Sequence, residues 1–167
     1  MDMSKIAAEF TATYDLYADA LFRFAYFAVH DREVAKDLVA DTFAKVWEYL
    51  SKGNAVENIR ALCYRTLRNL IVDHWRKHKS MSLDTLLEAG YEPIGADGRI
   101  EEEEKADYVA LRRAIAALPA SYQEVILLRY VEGYSPKEIA ELLGITPSLV
   151  SVRIFRGQRL LAKRFRI

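Results

Sequence analysis

The sequence predicts an all-α chain: two small helical domains joined by an acidic linker, the second containing a helix-turn-helix. Apolar residues recur every three or four positions over most of the 167 residues. Glycine (7) and proline (4) are scarce and mostly punctuate the periodic stretches, and no β-rich segment competes with them. The expected domains are 5–79 and 106–165, with a flexible linker over 80–105.

In the first domain, Ile6, Phe10, Tyr14, Tyr17, Leu21, Phe24 and Ala28 form a helical stripe, which Ala18, Phe22, Ala25 and Val29 widen. This helix is expected to be buried over much of its circumference. Asp31 is the expected N-cap of a second helix over about 32–50, with Leu38, Val39, Phe43, Val46, Trp47 and Leu50 inward and Gly53 ending the run. Asn54 and Glu57 predict a capping box for a third helix over about 55–78. Its inner face is Ile59, Leu62, Cys63, Leu67, Leu70 and Ile71, which makes Cys63 a core filler. Its outer face carries Arg65, Arg68, Asn69, Asp73, Arg76 and Lys77.

Periodicity lapses between Lys79 and about Glu104, where Gly90, Pro93, Gly95, Gly98 and four consecutive glutamates mark the linker. It resumes with Val109, Ala114, Ile115 and Leu118, stopped by Pro119. Ser121 and Glu124 predict a second capping box ahead of a helix that Gly133 closes. Ser135, Pro136 and Glu138 place Ser at N-cap, Pro at N1 and Glu at N3, the sharpest start signal in the chain. Thr146-Pro147 repeats the cap-then-proline arrangement before the last helix, about 147–164.

Lysine plus arginine (24) balance aspartate plus glutamate (24), but the charges are not mixed. Residues 58–79 hold six basic and one acidic side chain, net +5, and residues 112–167 hold ten and four, net +6. Residues 80–111 between them hold two and nine, net −7. Two basic blocks kept apart by an acidic one can offer two polyanion-binding surfaces on a neutral chain. One cysteine excludes an internal disulfide and suits a reducing compartment. There is no apolar run of about 18 residues and no secretory leader pattern at the amino terminus, so a cytoplasmic protein is expected.

Residues 135–155, SPKEIAELLGITPSLVSVRIF, fit a DNA-reading helix-turn-helix. Ile139, Leu143, Ile145, Val150 and Ile154 would form its seam, Ala140 would permit a close crossing, and Gly144 suits a left-handed turn. Ser148, Ser151, Val152 and Phe155 then face outward, followed by Arg153, Arg156 and Arg159. A helix start with short polar side chains can enter the major groove while flanking arginines pair with phosphates. The plainer reading is an αα-hairpin that touches no nucleic acid. On the third helix Trp75 could stack a base or pack against protein. His74 and His78 lack further ligands to complete a metal site, and none is expected. No phosphate loop, nucleophile elbow or metalloprotease motif occurs, so neither catalysis nor a cofactor is called for.

The succession DLVADTF, RNLIVDHWR, LP-x-x-YQEVI and EIAELLGI resembles the bacterial RNA polymerase sigma factors of the extracytoplasmic-function class, over nearly the whole chain outside the linker. That resemblance implies a non-enzymatic specificity subunit that binds core RNA polymerase, directs it to promoters and assists strand opening. It implies core contacts at Asp37, Asp41 and Trp47. It implies capture of the unpaired non-template strand at the promoter −10 element by Arg65, Arg68, Asn69, Asp73, Trp75, Arg76 and Lys77. Duplex binding at −35 falls to Lys137, Ser148, Ser151, Val152, Arg153, Arg156 and Arg159. An anti-sigma factor is the implied controlling partner. Where many members have G-T-V-K-S-R-L-H-R-A-R, this chain has SLVSVRIFRGQ at 148–158. Ser151 thus stands in place of a lysine, which weakens the expected −35 contact, and Val152 could meet a thymine methyl instead. Two other classes stay open on the residues: a stand-alone helix-turn-helix regulator, and a sigma mimic that sequesters an anti-sigma factor.

Overall fold

The computed structural model describes residues 2–79 and 102–165, and every regular element among them is helical. The linker residues 80–101 lie outside the described residues. Helix α1 (Met3–Val29) begins where the Asp2 carboxylate accepts the Ser4 N–H at 3.0 Å. It ends at His30, which adopts φ +59° and donates its backbone N–H to the Tyr26 carbonyl. The second half of α1 is sunk into the core through Ala20, Leu21, Phe24, Ala25 and Val29, whereas Thr13 is the one buried residue of its first half. Its first half is one-sided: Leu16 is 71% exposed, while Phe10 meets Phe43 and Trp47 edge-on. The expected wide burial therefore holds for the second half of the helix.

Helix α2 (Arg32–Ser51) is capped by Asp31, whose carboxylate accepts the Val34 N–H at 3.0 Å. Its buried face includes Thr42, whose hydroxyl donates to the Leu38 carbonyl at 2.7 Å and so is not stranded in an apolar core. Helix α3 (Ile59–Lys79) starts later than the expected 55. Asn58, not Asn54, supplies the cap by accepting the Ala61 N–H at 2.9 Å, and the Asn54 amide donates back to the Tyr49 carbonyl. Ala61, Cys63, Tyr64, Leu67 and Ile71 bury its inner face.

Helix α4 (Glu102–Ala116) takes in Glu102–Lys105, which the periodicity had left in the linker. Helix α5 (Ala120–Ile126) follows Pro119 with no side-chain cap, so the expected Ser121–Glu124 box does not form. Glu124 is turned to arginines instead. The helix then widens over Leu127–Val131 to an i→i+5 pattern, closed by the Glu132 N–H donating to the Leu127 carbonyl. Helix α6 (Pro136–Leu143) carries the predicted capping box in full: the Ser135 N–H donates to the Glu138 carboxylate at 2.8 Å, and the Glu138 N–H to the Ser135 hydroxyl at 3.3 Å. Gly144 turns the chain at φ +68°. Thr146 caps α7 (Pro147–Phe165) by accepting the Leu149 N–H at 3.2 Å. Gly157 of α7 lies where a Cβ would stand 2.9 Å from the Ile126 side chain, so a hydrogen there lets α7 rest on α5.

Helices α1–α3 and α4–α7 thus form two clusters, the second with a helix–turn–helix-like pair, α6 and α7. The clusters are not held apart. One continuous apolar core runs from Leu21, Phe24, Tyr64 and Leu67 through Val125 and Leu128 to Ile139, Leu142, Val150 and Ile154. A smaller one of Ile115, Leu118, Ile126 and Leu127 packs against Phe27. The polar rim of this shared core is charge-matched, with Glu132, Glu138 and Glu124 of the second cluster facing Arg23, Arg60 and Arg68 of the first.

Candidate nucleic-acid interface

The basic face of α3 divides along its length. Towards its start, three arginines are engaged by the second cluster. Arg60 lies 3.6 Å from the Glu138 carboxylate and over the Tyr134 ring at 4.6 Å. Arg65 donates to the Glu141 carbonyl at 2.7 Å. Arg68 meets Glu124 with both prongs of its guanidinium, at 2.8 and 3.1 Å. Towards its end, Asn69, Asp73, Arg76 and Lys77 are exposed. There Arg76 is tied only loosely, 3.6 Å from Asp73, and its side chain is 77% exposed. The predicted −10 residues are therefore split: the structure brings Arg65 and Arg68 into the seam and leaves the other polar ones at the surface.

Trp75 stands between these regimes. Its ring meets His74 edge-on at 5.6 Å, and its partly exposed body lines a cleft of about 280 Å³ at the seam with Phe24, Ile71, Val72 and Leu127. His74 and His78 have ring centroids 4.1 Å apart. Burial first, then the neighbouring His78, lowers the His74 pKa from its ordinary 6.5. No cluster of three or more metal-ligating side chains occurs among the described residues. Cys63 is fully buried, and burial pushes its thiol up to about 12, which makes it an inert packing group.

The second surface is the outward face of α7 with Lys137 of α6. Lys137, Ser148, Ser151, Val152, Arg156 and Arg159 are all exposed. Phe155 is 59% exposed with Arg159 set over its ring at 5.9 Å. Arg156, Arg159, Leu160 and Lys163 border a groove of about 320 Å³ beside Tyr122. Arg153 is the exception. It turns inward to the Glu124 carboxylate at 3.4 Å, so one acid touches an arginine from each predicted DNA surface. Elsewhere on the first cluster Asp37 and Asp41 are exposed on α2, and Trp47 is half-buried against Phe10 at 5.1 Å.

Sequence reasoning missed the seam residues Arg23, Arg60, Gln123, Glu124 and Glu132 as a group. Arg23 holds Glu132 with two bonds of 2.8 and 2.9 Å, and the Gln123 amide donates to the Phe27 carbonyl at 2.9 Å. The available signal was charge excess alone: a basic third helix needs anions, and Glu124 is one of only four acids after residue 111.

An all-helical chain with a basic third helix and a second basic surface on a helix–turn–helix-like pair defines a class that comparison with known proteins makes specific. The model of Sigma-70 region 2 matches residues 13–81, and that of Sigma-70, region 4 matches residues 108–161. The chain is 28% identical over 164 residues to the ECF RNA polymerase sigma factor SigW of Bacillus subtilis (strain 168), covering 91% of this chain and 86% of that protein. It is 28% identical over 156 residues to the ECF RNA polymerase sigma factor SigL of Mycobacterium tuberculosis, covering 93% and 88%. Among solved structures, the sigma factor RpoE, in complex with the anti-sigma factor NepR from Bartonella quintana, shares the fold. Its TM-score is 0.74 at 23% identity, over 95% of this chain and 98% of that one. CnrH, in complex with the cytosolic domain of CnrY, does so with a TM-score of 0.66 at 23% identity, over 92% and 85%. The chain belongs to the sigma-70 family, in its ECF class.

Proposed function

We infer that this chain works as a sigma factor: it binds core RNA polymerase, directs it to promoters and assists strand opening, without catalysing a reaction itself. The observation that carries the reading is the pair of outward polar surfaces on one chain, the end of α3 and the face of α7, in the order the family requires. Asp37 and Asp41, with the outer edge of Trp47, form the core-binding surface. Asn69, Trp75, Arg76 and Lys77 hold and stack the separated non-template strand at −10, joined by Arg65 and Arg68 when these leave the seam. The start of α7 enters the −35 duplex, its arginines on phosphates and Val152 against a thymine methyl. A cytoplasmic anti-sigma factor is the controlling partner, a reading supported by the RpoE–NepR complex. Among the described residues, no helix is long and apolar enough to cross a membrane.

Reconstitution of the purified chain with core polymerase and promoter fragments tests this. Promoter-specific transcripts are expected. Stable core binding without transcripts points to a sigma mimic, and tight duplex binding without core binding to a stand-alone regulator; either contradicts the reading. In the same system Asn69→Ala and Arg76→Ala should each reduce open-complex formation roughly 5–30-fold, the effect of losing about 1–2 kcal/mol. Core affinity should stay unchanged. Unaltered strand opening overturns the assignment of these two residues.

A further inference from the structure

We propose that the second cluster acts as a built-in nucleic-acid mimic: oxygens of Glu124, Glu138 and Glu141 occupy the arginines of α3 and hold the free chain in a self-inhibited, closed form. This rests on reading α3 as a strand-binding helix. Arg60, Arg65 and Arg68 follow one another along that helix, and each meets an oxygen from α5 or α6: a carboxylate at 3.6 Å, a carbonyl at 2.7 Å and a carboxylate at 2.8 and 3.1 Å. Arginine forks receive phosphate in the same way, with two parallel N–H donors against two anionic oxygens. Glu124 is the centre of the device. Its side chain is only 11% exposed, and it pairs simultaneously with Arg68 of α3 and Arg153 of α7. An arginine that satisfies Glu124 cannot also neutralise a DNA phosphate, and parting the clusters gives up both Arg68 bonds while Arg153, on the same cluster, stays with Glu124. The closed form therefore resists opening until a polyanion or a polymerase surface competes for the arginines. The rest of the seam, Arg23 with Glu132 and Gln123 with the Phe27 carbonyl, sets the register that lines the acids up with α3.

The test measures binding of the full chain to a single-stranded promoter oligonucleotide by fluorescence anisotropy, as a function of salt. Glu124→Gln removes the charge while keeping shape, and should tighten binding about tenfold by releasing charge-assisted bonds from Arg68. It should also steepen the dependence on log salt, by about 0.7 for each phosphate newly neutralised on a single strand. Loss of a negative charge anywhere raises affinity slightly, so Glu33→Gln on α2 serves as the control and should change binding far less. The decisive comparison is a double-mutant cycle. In an Arg68→Ala background, Glu124→Gln should gain little, because the arginine it would free is gone. An equal gain with and without Arg68, or no gain at all, overturns the proposal. Glu138→Gln gives an independent check should Glu124→Gln fold poorly, since Glu138 is 42% exposed and touches Arg60 from the rim. It should tighten binding by a smaller factor in the same direction, and unchanged binding counts against the mimic. Measurable binding without these gains refutes the mimic alone. Absence of single-strand binding by every variant, including with core polymerase present, removes the reading of α3 and the proposal with it.

Discussion

His30 shows how one residue can serve a turn and still carry a cost. It sits at φ +59°, where an L side chain is uncommon, to end α1 and let Asp31 start α2. Its ring is half-buried, and Nδ1 has no hydrogen-bond partner. Burial first, then the charge of Arg112, lowers its pKa from the ordinary 6.5. The neutral ring is thus the form the fold accepts. Between pH 6.5 and the lower folded value the unfolded chain binds the proton more readily, so stability is full above about 6.5 and falls as pH drops through this window. His74 adds to the loss with the same sign. Replacing His30 by Asn, which tolerates the left-handed conformation, should preserve Tm at neutral pH and flatten the decline between about pH 6.5 and 5. Thermal melts across that range check this; an unchanged pH slope would assign the acid sensitivity to other groups.

At the scale of elements, caps decide where sequence reading succeeds. Asp31, Ser135 and Thr146 cap as their local pattern says, because each bonds within its own turn. Asn54 with Glu57 and Ser121 with Glu124 carry the same signature and do not cap. The first pair lost to Asn58, which lies one turn nearer the core contacts of α3. Glu124 is drawn to Arg68, 56 positions away, and no local window could reveal that partner. The seam was illegible for the same reason: periodicity shows which face of a helix is apolar, not which other helix covers it. The outward face of α7 was legible: Ser148, Ser151 and Val152 are exposed, as their positions off the apolar stripe imply. With Ser151 where the pattern the chain resembles has lysine, that face presents one cation fewer than the resemblance implies. Ser151→Lys should therefore tighten −35 duplex binding at moderate salt and steepen its salt slope by about 0.9, one further phosphate. Equal or weaker binding in a titration against salt would remove Ser151 from the DNA-facing surface.

For the whole molecule, the closed seam and promoter engagement make incompatible demands. Elements at −10 and −35 are separated by about 25 base pairs, or about 85 Å at 3.4 Å each. The longest element here, α1 with 27 residues, spans only about 40 Å. If both elements are engaged as proposed, two clusters sharing one apolar core cannot touch them at once, and α1–α3 and α4–α7 would have to separate on the promoter. A fully extended chain of the length that separates Lys79 from Glu102 spans about 75 Å at 3.3–3.6 Å per residue. Separation gives up the Arg23–Glu132 and Arg68–Glu124 pairs and exposes apolar seam surface, costs that contacts to polymerase and DNA must exceed. The direct measurement is the distance between paired labels at Lys52→Cys and Ala110→Cys, exposed positions at the C-cap of α2 and on α4, with buried Cys63 unreactive. Pulsed dipolar spectroscopy should give one short distance in the free chain and a distance longer by tens of ångströms in the initiating complex with core polymerase and promoter. An unchanged distance in a complex that makes transcripts would contradict the account.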